Sequence, residues 1–176
     1  VVNYRESYQM FAVNGILFNH ESPLRSERFV TSKIIQAAMD ISRGRARVLN
    51  LGNVDIVRDW GWAPEYVTAM WLMLQAENPE DFVIATGKSS KLREFAELAF
   101  DFHSLNLKEH LVTNVEQRPS EVLHSYANPK KAEELLGWRT QTSLVGLVSK
   151  LSKARLSQEK IHPSFAGDVP TKDPEK

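Results

Sequence analysis

Two nearly continuous apolar runs constrain the fold of this chain more than any other feature. Residues 10–18 (MFAVNGILF) and residues 81–86 (DFVIAT) are short and rich in aliphatic and aromatic side chains. Such runs are typical of strands that are buried on both faces of a parallel sheet, where the usual alternation of polar and apolar residues is lost. A parallel sheet needs helices on its faces, so the two runs predict an α/β fold.

Apolar residues at helical spacing fill much of the remaining chain. Helices are predicted over residues 1–8, 29–43, 64–75, 91–103, 130–136 and 143–156. Gly44 stands where a C-cap belongs, Pro64 stands in a first turn, and Ser89 or Ser90 can cap the fourth helix. Short strands are predicted over residues 47–51, 54–57 and 111–115. The later elements indicate a smaller, helix-rich lobe.

The amino-acid composition excludes several classes of binding partner and site. The chain has 22 basic and 22 acidic residues among 176, so no overall field attracts nucleic acid or anionic lipid. Cysteine is absent, which excludes disulfides and thiolate metal sites and fits a cytoplasmic location. No apolar run approaches the roughly 20 residues that span a bilayer, and residues 1–10 lack the apolar core of a signal peptide. Residues 157–176 are rich in charge, proline and serine and predict a disordered tail.

Several strings of residues occur in an order that is informative as a set. They are NGILFNHESP at 14–23, FVTSKI at 29–34, LGNVDIVRDWG at 51–61, EDFVIATG at 80–87, RPSEV at 118–122 and LGW at 136–138. Together they resemble the GDP-mannose 4,6-dehydratase family of the extended short-chain dehydrogenase/reductase superfamily. The resemblance covers about residues 1–150, and the FNHESP string is its most specific part.

The resemblance implies a fold and an activity. Residues 1–156 are expected to form the second half of a Rossmann-type parallel sheet with a small carboxy-terminal substrate-binding lobe. The implied reaction is the NADP-dependent dehydration of GDP-mannose to GDP-4-keto-6-deoxymannose. The family also implies a homodimer or homotetramer. A dehydratase or epimerase acting on another nucleotide sugar stays open as an alternative.

The resemblance assigns three residues near the cofactor and the sugar. His20 and Arg25 match positions that contact NADP, and the planar fork of an arginine suits a phosphate. Their structural alternatives are a histidine that caps the loop and a solvated surface arginine. Asn19 matches an amide that contacts the substrate, and its alternative is a turn residue before the loop.

Six further residues match positions around the GDP group. The resemblance places Val30 and Lys33 at the start of a helix, where free N–H groups attract anions. Arg58 and Arg118 match the arginines that hold the diphosphate and the adjoining ribose, and Glu121 matches an acceptor for ribose hydroxyls. Asn53 is expected to join them. The alternatives are an exposed helix lysine for Lys33 and a structural ion pair with Asp59 for Arg58.

The catalytic part of the family pattern is missing from this sequence. The eight glycines never fall in the G-x-G-x-x-G or G-x-x-G-x-x-G pattern that seats a pyrophosphate. The only Tyr-x-x-x-Lys string is Tyr126 to Lys130, and Pro129 between them predicts a helix start, so the match is taken as chance. No catalytic residue is therefore assigned.

The missing pattern also predicts what kind of chain this is. The chain is expected to be an inactive fragment whose partner is the amino-terminal half of the same enzyme, with the true Tyr-x-x-x-Lys helix just before Val1. A degenerate, non-catalytic module that binds a nucleotide sugar is the alternative. Half of a parallel sheet would leave an apolar face uncovered, so we also expect the isolated chain to aggregate.

Three residues depart from the family pattern. Leu24 and Ser32 stand where arginine is usual, and Trp62 stands where histidine is usual. Because the two lost arginines flank the cofactor and phosphate region, weaker NADP binding or altered oligomer contacts are expected.

Overall fold

The computed structural model describes residues 1–114 and 122–161 and confirms the α/β class. The helices are α1 (Val2–Tyr8), α2 (Val30–Ser42), α3 (Ala63–Met73), α4 (Leu92–Asp101), α5 (Lys130–Leu136) and α6 (Leu144–Ile161). The strands are β1 (Asn14–Leu17), β2 (Asn19–Glu21), β3 (Leu49–Leu51), β4 (Val57–Trp62), β5 (Asp81–Ile84), β6 (Ser89–Lys91) and β7 (Leu111–Thr113). A short 3-10 helix, Leu107–Glu109, precedes β7.

The strands pair mostly in parallel. The pairs β1–β5, β2–β4 and β3–β7 are parallel, and β6 joins β4 in the antiparallel direction. The two apolar runs of the sequence thus meet in one ladder, with Asn14 opposite Asp81 and Leu17 opposite Ile84. None of the helices in the described part of the chain has the length and hydropathy to cross a membrane.

The prediction that residues 10–18 form a strand buried on both faces is wrong in two respects. Only Asn14–Leu17 is a strand. A side chain at Gly15 would meet Met73 of α3 at 3.0 Å, so this face of the strand is packed. Ile16, on the other face, is 50% exposed because no described element covers it. This face of the apolar run is therefore left uncovered by the described residues.

Two hydrophobic cores organise the described residues. The larger core joins α2, α4 and α6 with β3, and its fully buried members include Ile34, Phe95 and Leu147. The smaller core joins α3, α5 and β5 around Tyr66 and Phe82. The helix-rich lobe thus recruits α2 from the early part of the chain, whereas the sequence pattern had assigned the lobe to later elements only.

The predicted strand over residues 54–57 is wrong except at Val57, which begins β4. The predicted capping of α4 by Ser89 or Ser90 is also wrong, because main-chain carbonyls of residues 54–56 take the place of a cap. The first amides of α4, those of Leu92 and Arg93, donate to the carbonyls of Ile56 and Val54 at 2.9 Å each. These carbonyls satisfy the free N–H groups that a side-chain cap would otherwise take. Ser89 and Ser90 lie instead in β6, paired with β4.

Helix ends follow the predicted signals elsewhere. Gly44 and Gly137 adopt left-handed φ values of 70° and 62°; Gly44 follows the C-cap residue of α2, and Gly137 is the C-cap residue of α5. The last helix runs to Ile161, so residues 157–161 of the predicted tail are helical. Ion pairs from Arg43 and Arg45 to Glu159 fasten its last turns to the end of α2. Residues 162–176 lie outside the described residues.

Candidate functional site

An open groove of about 580 Å³ lies beside β2. We call it the β2 groove; its walls include Leu17, Asn19, His20, Leu24, Arg25 and Phe29. The structure therefore brings together the three residues that the resemblance assigned near the cofactor and the sugar. Asn19 opens β2 and pairs with Trp60 of β4, so its alternative role as a turn residue is wrong.

His20 is held by two contacts. Its Nδ1 lies 2.8 Å from the carbonyl oxygen of Phe18. A carbonyl oxygen can only accept, so Nδ1 carries the proton and donates this bond. The imidazole also stacks on the ring of Tyr66, with 4.8 Å between centroids and 28° between planes. The Nε2 atom makes no hydrogen bond to a described residue, and His20 is one of the residues that line the groove.

Arg25 is anchored but keeps donors free. Its Nη1 donates to the carbonyl of His20 at 2.7 Å and to Oε1 of Glu21 at 2.6 Å. Its guanidinium lies 3.9 Å from the centre of the Phe29 ring. Nε and Nη2 donate to no acceptor among the described residues. Their N–H groups can therefore still donate to a phosphate oxygen. These contacts exclude a freely solvated arginine.

Glu21 is a buried carboxylate that the sequence analysis missed. It is 1% exposed and accepts from the Thr31 hydroxyl at 2.7 Å as well as from Arg25. Burial raises the pKa of the Glu21 carboxyl, while the Thr31 hydrogen bond and the Arg25 charge oppose that rise. Its role is to tie β2 to the first turn of α2. The sequence signal for Glu21 was an acidic residue that directly follows the FNH string and directly precedes Ser22-Pro23.

The start of α2 carries the next two predicted residues. Val30 is the first residue of the helix and packs against the larger core. Lys33 is exposed, but its Nζ donates to the carbonyl of Asn50 in β3 at 2.6 Å. Its ammonium group therefore stands beside the end of β3, which is more specific than the position of an ordinary exposed helix lysine.

Arg58 and Asp59 face opposite sides of β4. Arg58 donates from Nη1 to the carbonyls of Val57 at 2.8 Å and Leu123 at 3.5 Å. No carboxylate of the described residues lies within ion-pair distance of it, so the predicted alternative of an ion pair with Asp59 is wrong. The alternation of a strand puts adjacent side chains on opposite faces, which separates the two.

Asp59 is the second buried acid that the sequence analysis did not assign. It is fully buried and accepts from the amides of Thr86 at 3.0 Å and Gly87 at 2.8 Å. Burial raises the pKa of the Asp59 carboxyl, although these hydrogen bonds favour the charged form. It fastens the turn after β5 to β4. An acid inside the apolar string VRDWGW was the signal.

The segment that contains Arg118 and Glu121 lies outside the described residues. Its described flanks are fixed nevertheless. The amide of Asn114 donates to the carbonyl of Leu51 at 2.9 Å, and the amide of Val57 donates to the carbonyl of Leu123 at 2.7 Å. Both flanks therefore start beside the turn between β3 and β4, where Asn53 accepts from the amide of Asp55 at 2.9 Å.

Four further residues were singled out in the sequence without a binding role. Tyr126 precedes α5 and is not on one helix with Lys130, which confirms that Tyr126-x-x-x-Lys130 is a chance match. Leu24 is 91% exposed in the β2 groove. The Ser32 hydroxyl donates to the carbonyl of Arg25 at 3.1 Å, and the ammonium of Lys150 lies 5.3 Å from the Trp62 ring.

Comparisons with solved structures agree with this architecture. The RMD protein of Pseudomonas aeruginosa, solved with NADPH, superimposes with a TM-score of 0.81 at 18% identity, over 89% of this chain and 52% of that one. The dTDP-glucose 4,6-dehydratase of Bacillus anthracis, solved with NAD, superimposes with a TM-score of 0.78 at 16% identity, over 90% and 49%. At these identities the likeness shows a shared fold.

Comparisons of sequence are more specific. GDP-mannose 4,6 dehydratase 1 of Arabidopsis thaliana is 47% identical over 151 residues, which cover 85% of this chain and 42% of the relative. GDP-mannose 4,6-dehydratase of Sinorhizobium fredii is 44% identical, over 89% of this chain and 50% of the relative. The chain thus spans about half the length of the curated relatives it matches. The family profile described as GDP-mannose 4,6 dehydratase matches residues 1–151. The chain belongs to the GDP-mannose 4,6-dehydratase family.

Proposed function

We propose that this chain supplies the nucleotide-sugar-binding part of an NADP-dependent enzyme that dehydrates GDP-mannose to GDP-4-keto-6-deoxymannose. The observation that carries the proposal is that Lys33 and Arg58 each donate to a main-chain carbonyl of a residue that flanks the connection between β3 and β4. Lys33 is tied to β3, Arg58 lies at the start of β4, and the described flanks of residues 115–121 are bonded to both strands. The spacing of Lys33, Arg58 and residues 115–121 along the sequence does not by itself predict that they lie near one another; only the family match does.

The diphosphate is proposed to lie between Lys33 and Arg58. Their own hydrogen bonds are to main-chain carbonyls, which orient the side chains without neutralising their charge. Each therefore keeps donors for phosphate oxygens. Arg118 is proposed to complete the phosphate and ribose contacts, and Glu121 to accept from the ribose hydroxyls. Val30 is proposed to contact the GDP group, and Asn53 to contact the ribose.

The sugar and cofactor are proposed to meet at the β2 groove. Asn19 would orient the sugar, and His20 and Arg25 would contact NADP. When bound, the nicotinamide supplies reversible hydride transfer, so that the net loss of water from the sugar is redox-neutral. The residues of this chain bind and align the substrate, and such alignment is worth several kcal/mol of a reaction barrier. None of them is proposed to exchange a proton with the sugar.

Isothermal titration of the full-length protein with GDP-mannose tests the proposal. Replacement of Lys33 by Met or of Arg58 by Gln is expected to weaken binding by about 10- to 100-fold, since a hydrogen bond to a charged group contributes about 1.5–3 kcal/mol. Lys91→Gln is the matched control, because the Lys91 side chain is 59% exposed and its one ion pair within the described residues is with Asp55. No binding of GDP-mannose at millimolar concentration would reject the assignment.

Two further titrations sharpen the result. GDP-glucose in place of GDP-mannose reports how far this chain selects the sugar. Equal losses of affinity in Lys33→Met and in Lys91→Gln would show a general effect of charge and not a phosphate site. Sedimentation of the full-length protein would test the proposed homodimer or homotetramer.

A further inference from the structure

Tyr66 lies under His20 and has no function in the proposed substrate site. The side chain is fully buried in the smaller core, and its hydroxyl has no hydrogen-bond partner among the described residues. Burial raises the pKa of the Tyr66 phenol, and the negative charges of Asp59 and Glu65 add to that rise. A buried hydroxyl without a partner costs free energy, so the stabilising contribution of Tyr66 comes from the contacts of its ring.

The contacts of the Tyr66 ring restrict the orientation of the His20 imidazole. One face of the ring stacks on the imidazole of His20 at 4.8 Å, and the edge of Trp138 meets it at 5.8 Å and 86°. Trp138 is itself fixed, because its Nε1 donates to the carbonyl of Glu65 at 2.9 Å. The imidazole thus rests on a ring that cannot tilt without disturbing the core.

We propose that Tyr66 is a positioning residue that, together with the Phe18 carbonyl, holds His20 as the Nδ1–H tautomer and aims an unprotonated Nε2 into the β2 groove. The Nδ1–H bond at 2.8 Å selects the tautomer, and the stacked Tyr66 ring limits the rotation of the imidazole out of its plane. This inference rests on the proposed role of His20 at the cofactor and specifies its chemistry.

An acceptor at Nε2 selects the kind of ligand group that it contacts. A neutral imidazole with its only proton on Nδ1 can accept at Nε2 from a ribose hydroxyl or a carboxamide N–H. It cannot donate to a phosphate oxygen. Within the β2 groove, phosphate is then the partner of Arg25, and a hydroxyl or amide is the partner of His20.

Nitrogen-15 spectra of the chain, taken without ligand at a pH where histidine is neutral, test the tautomer. His20→Gln identifies the His20 signals among those of the five histidines. We expect Nδ1 as the protonated nitrogen, with a preference of about tenfold over the other tautomer, as one hydrogen bond can supply. Tyr66→Phe retains the stacked ring and should keep this preference. Tyr66→Leu should lower it severalfold, toward the Nε2–H form.

Phe100→Leu is the matched control, because Phe100 is fully buried in the larger core and makes no recorded contact with His20. If Phe100→Leu shifts the His20 tautomer as much as Tyr66→Leu does, general loosening and not the stacked ring is responsible, and the proposal fails. An Nε2–H tautomer in the unaltered chain also overturns it. The proposed cofactor role is tested separately by titration with NADP. If the Nδ1–H tautomer is found but the His20 signals do not change when NADP is added, the cofactor role is rejected and the tautomer assignment stands.

Discussion

Gly61 is predicted to be required because of the ring beside it. Its φ is outside the left-handed region, so an alanine there meets no backbone strain. A Cβ at this position would instead lie 2.2 Å from Cε2, 2.7 Å from Cζ and 2.6 Å from the hydroxyl of Tyr66. The ring cannot withdraw freely, because it is stacked on His20 and met edge-on by Trp138.

The size of the effect of Gly61→Ala follows from two opposing terms. Overpacking of a core costs about 1–3 kcal/mol, and the constrained ring puts this site in the upper part of that range. The replacement also lowers the entropy of the unfolded chain, which returns about 0.4–1 kcal/mol. The expected net loss in the free energy of unfolding is about 1.5–2.5 kcal/mol. For a domain of this size, Tm should fall by about 3–10 °C.

Chemical denaturation of single and double variants measures this loss and its origin. Tyr66→Phe removes only the hydroxyl, so the contact to Cε2 persists and Gly61→Ala should cost about as much as before. Tyr66→Leu removes all three atoms, and the cost should fall by about 1–2 kcal/mol, a coupling within the range for residues in contact. Gly52→Ala is the control, since its nearest neighbour is a carbonyl oxygen at 3.9 Å. A neutral Gly61→Ala, or an equal cost in the Leu background, would refute the steric explanation.

Two more predictions concern pH and solubility. Burial and the positive charge of Arg43 lower the pKa of His103 below its ordinary value of 6.5. The unfolded chain then takes up this proton at a higher pH than the folded chain, so stability is lost as pH falls below about 6.5. The urea midpoint should drop less on acidification in His103→Leu, and an identical drop would contradict the assignment. Trp71 is 60% exposed on α3, on an apolar stripe with Val67 and Leu74. Trp71→Gln should reduce light scattering by the concentrated chain without lowering its Tm; unchanged scattering would place the aggregating surface elsewhere.

Much of the fold could be predicted because local signals and tertiary packing agree. Gly44 and Gly137 end helices where the sequence predicts it, since left-handed φ values cost glycine little. Residues 54–56 could not be assigned in this way. The side chains of Val54 and Ile56 suit a strand, but the carbonyls of both residues accept from the amides that begin α4, a pairing across more than 30 residues.

Some residues of the candidate site could likewise be predicted from the sequence, and others could not. The family resemblance supplied Asn19, His20 and Arg25, and the structure shows that all three line one groove. It did not reveal Glu21 or Asp59, because a buried acid is recognised by its partners. Those partners, Thr31 for Glu21 and the turn after β5 for Asp59, are 10 or more residues away in sequence.

The sequence by itself determined the α/β class, most helix ends, the family, and the types of side chain available for a diphosphate and a cofactor. These follow from local periodicity, from backbone preferences and from strings of adjacent residues. Only the tertiary structure decided that Lys33 reaches β3, that Arg58 turns away from Asp59, and that Tyr66 lies under His20. The physical reason is that the direction of a side chain depends on strand pairing and packing between distant segments, which no local pattern encodes.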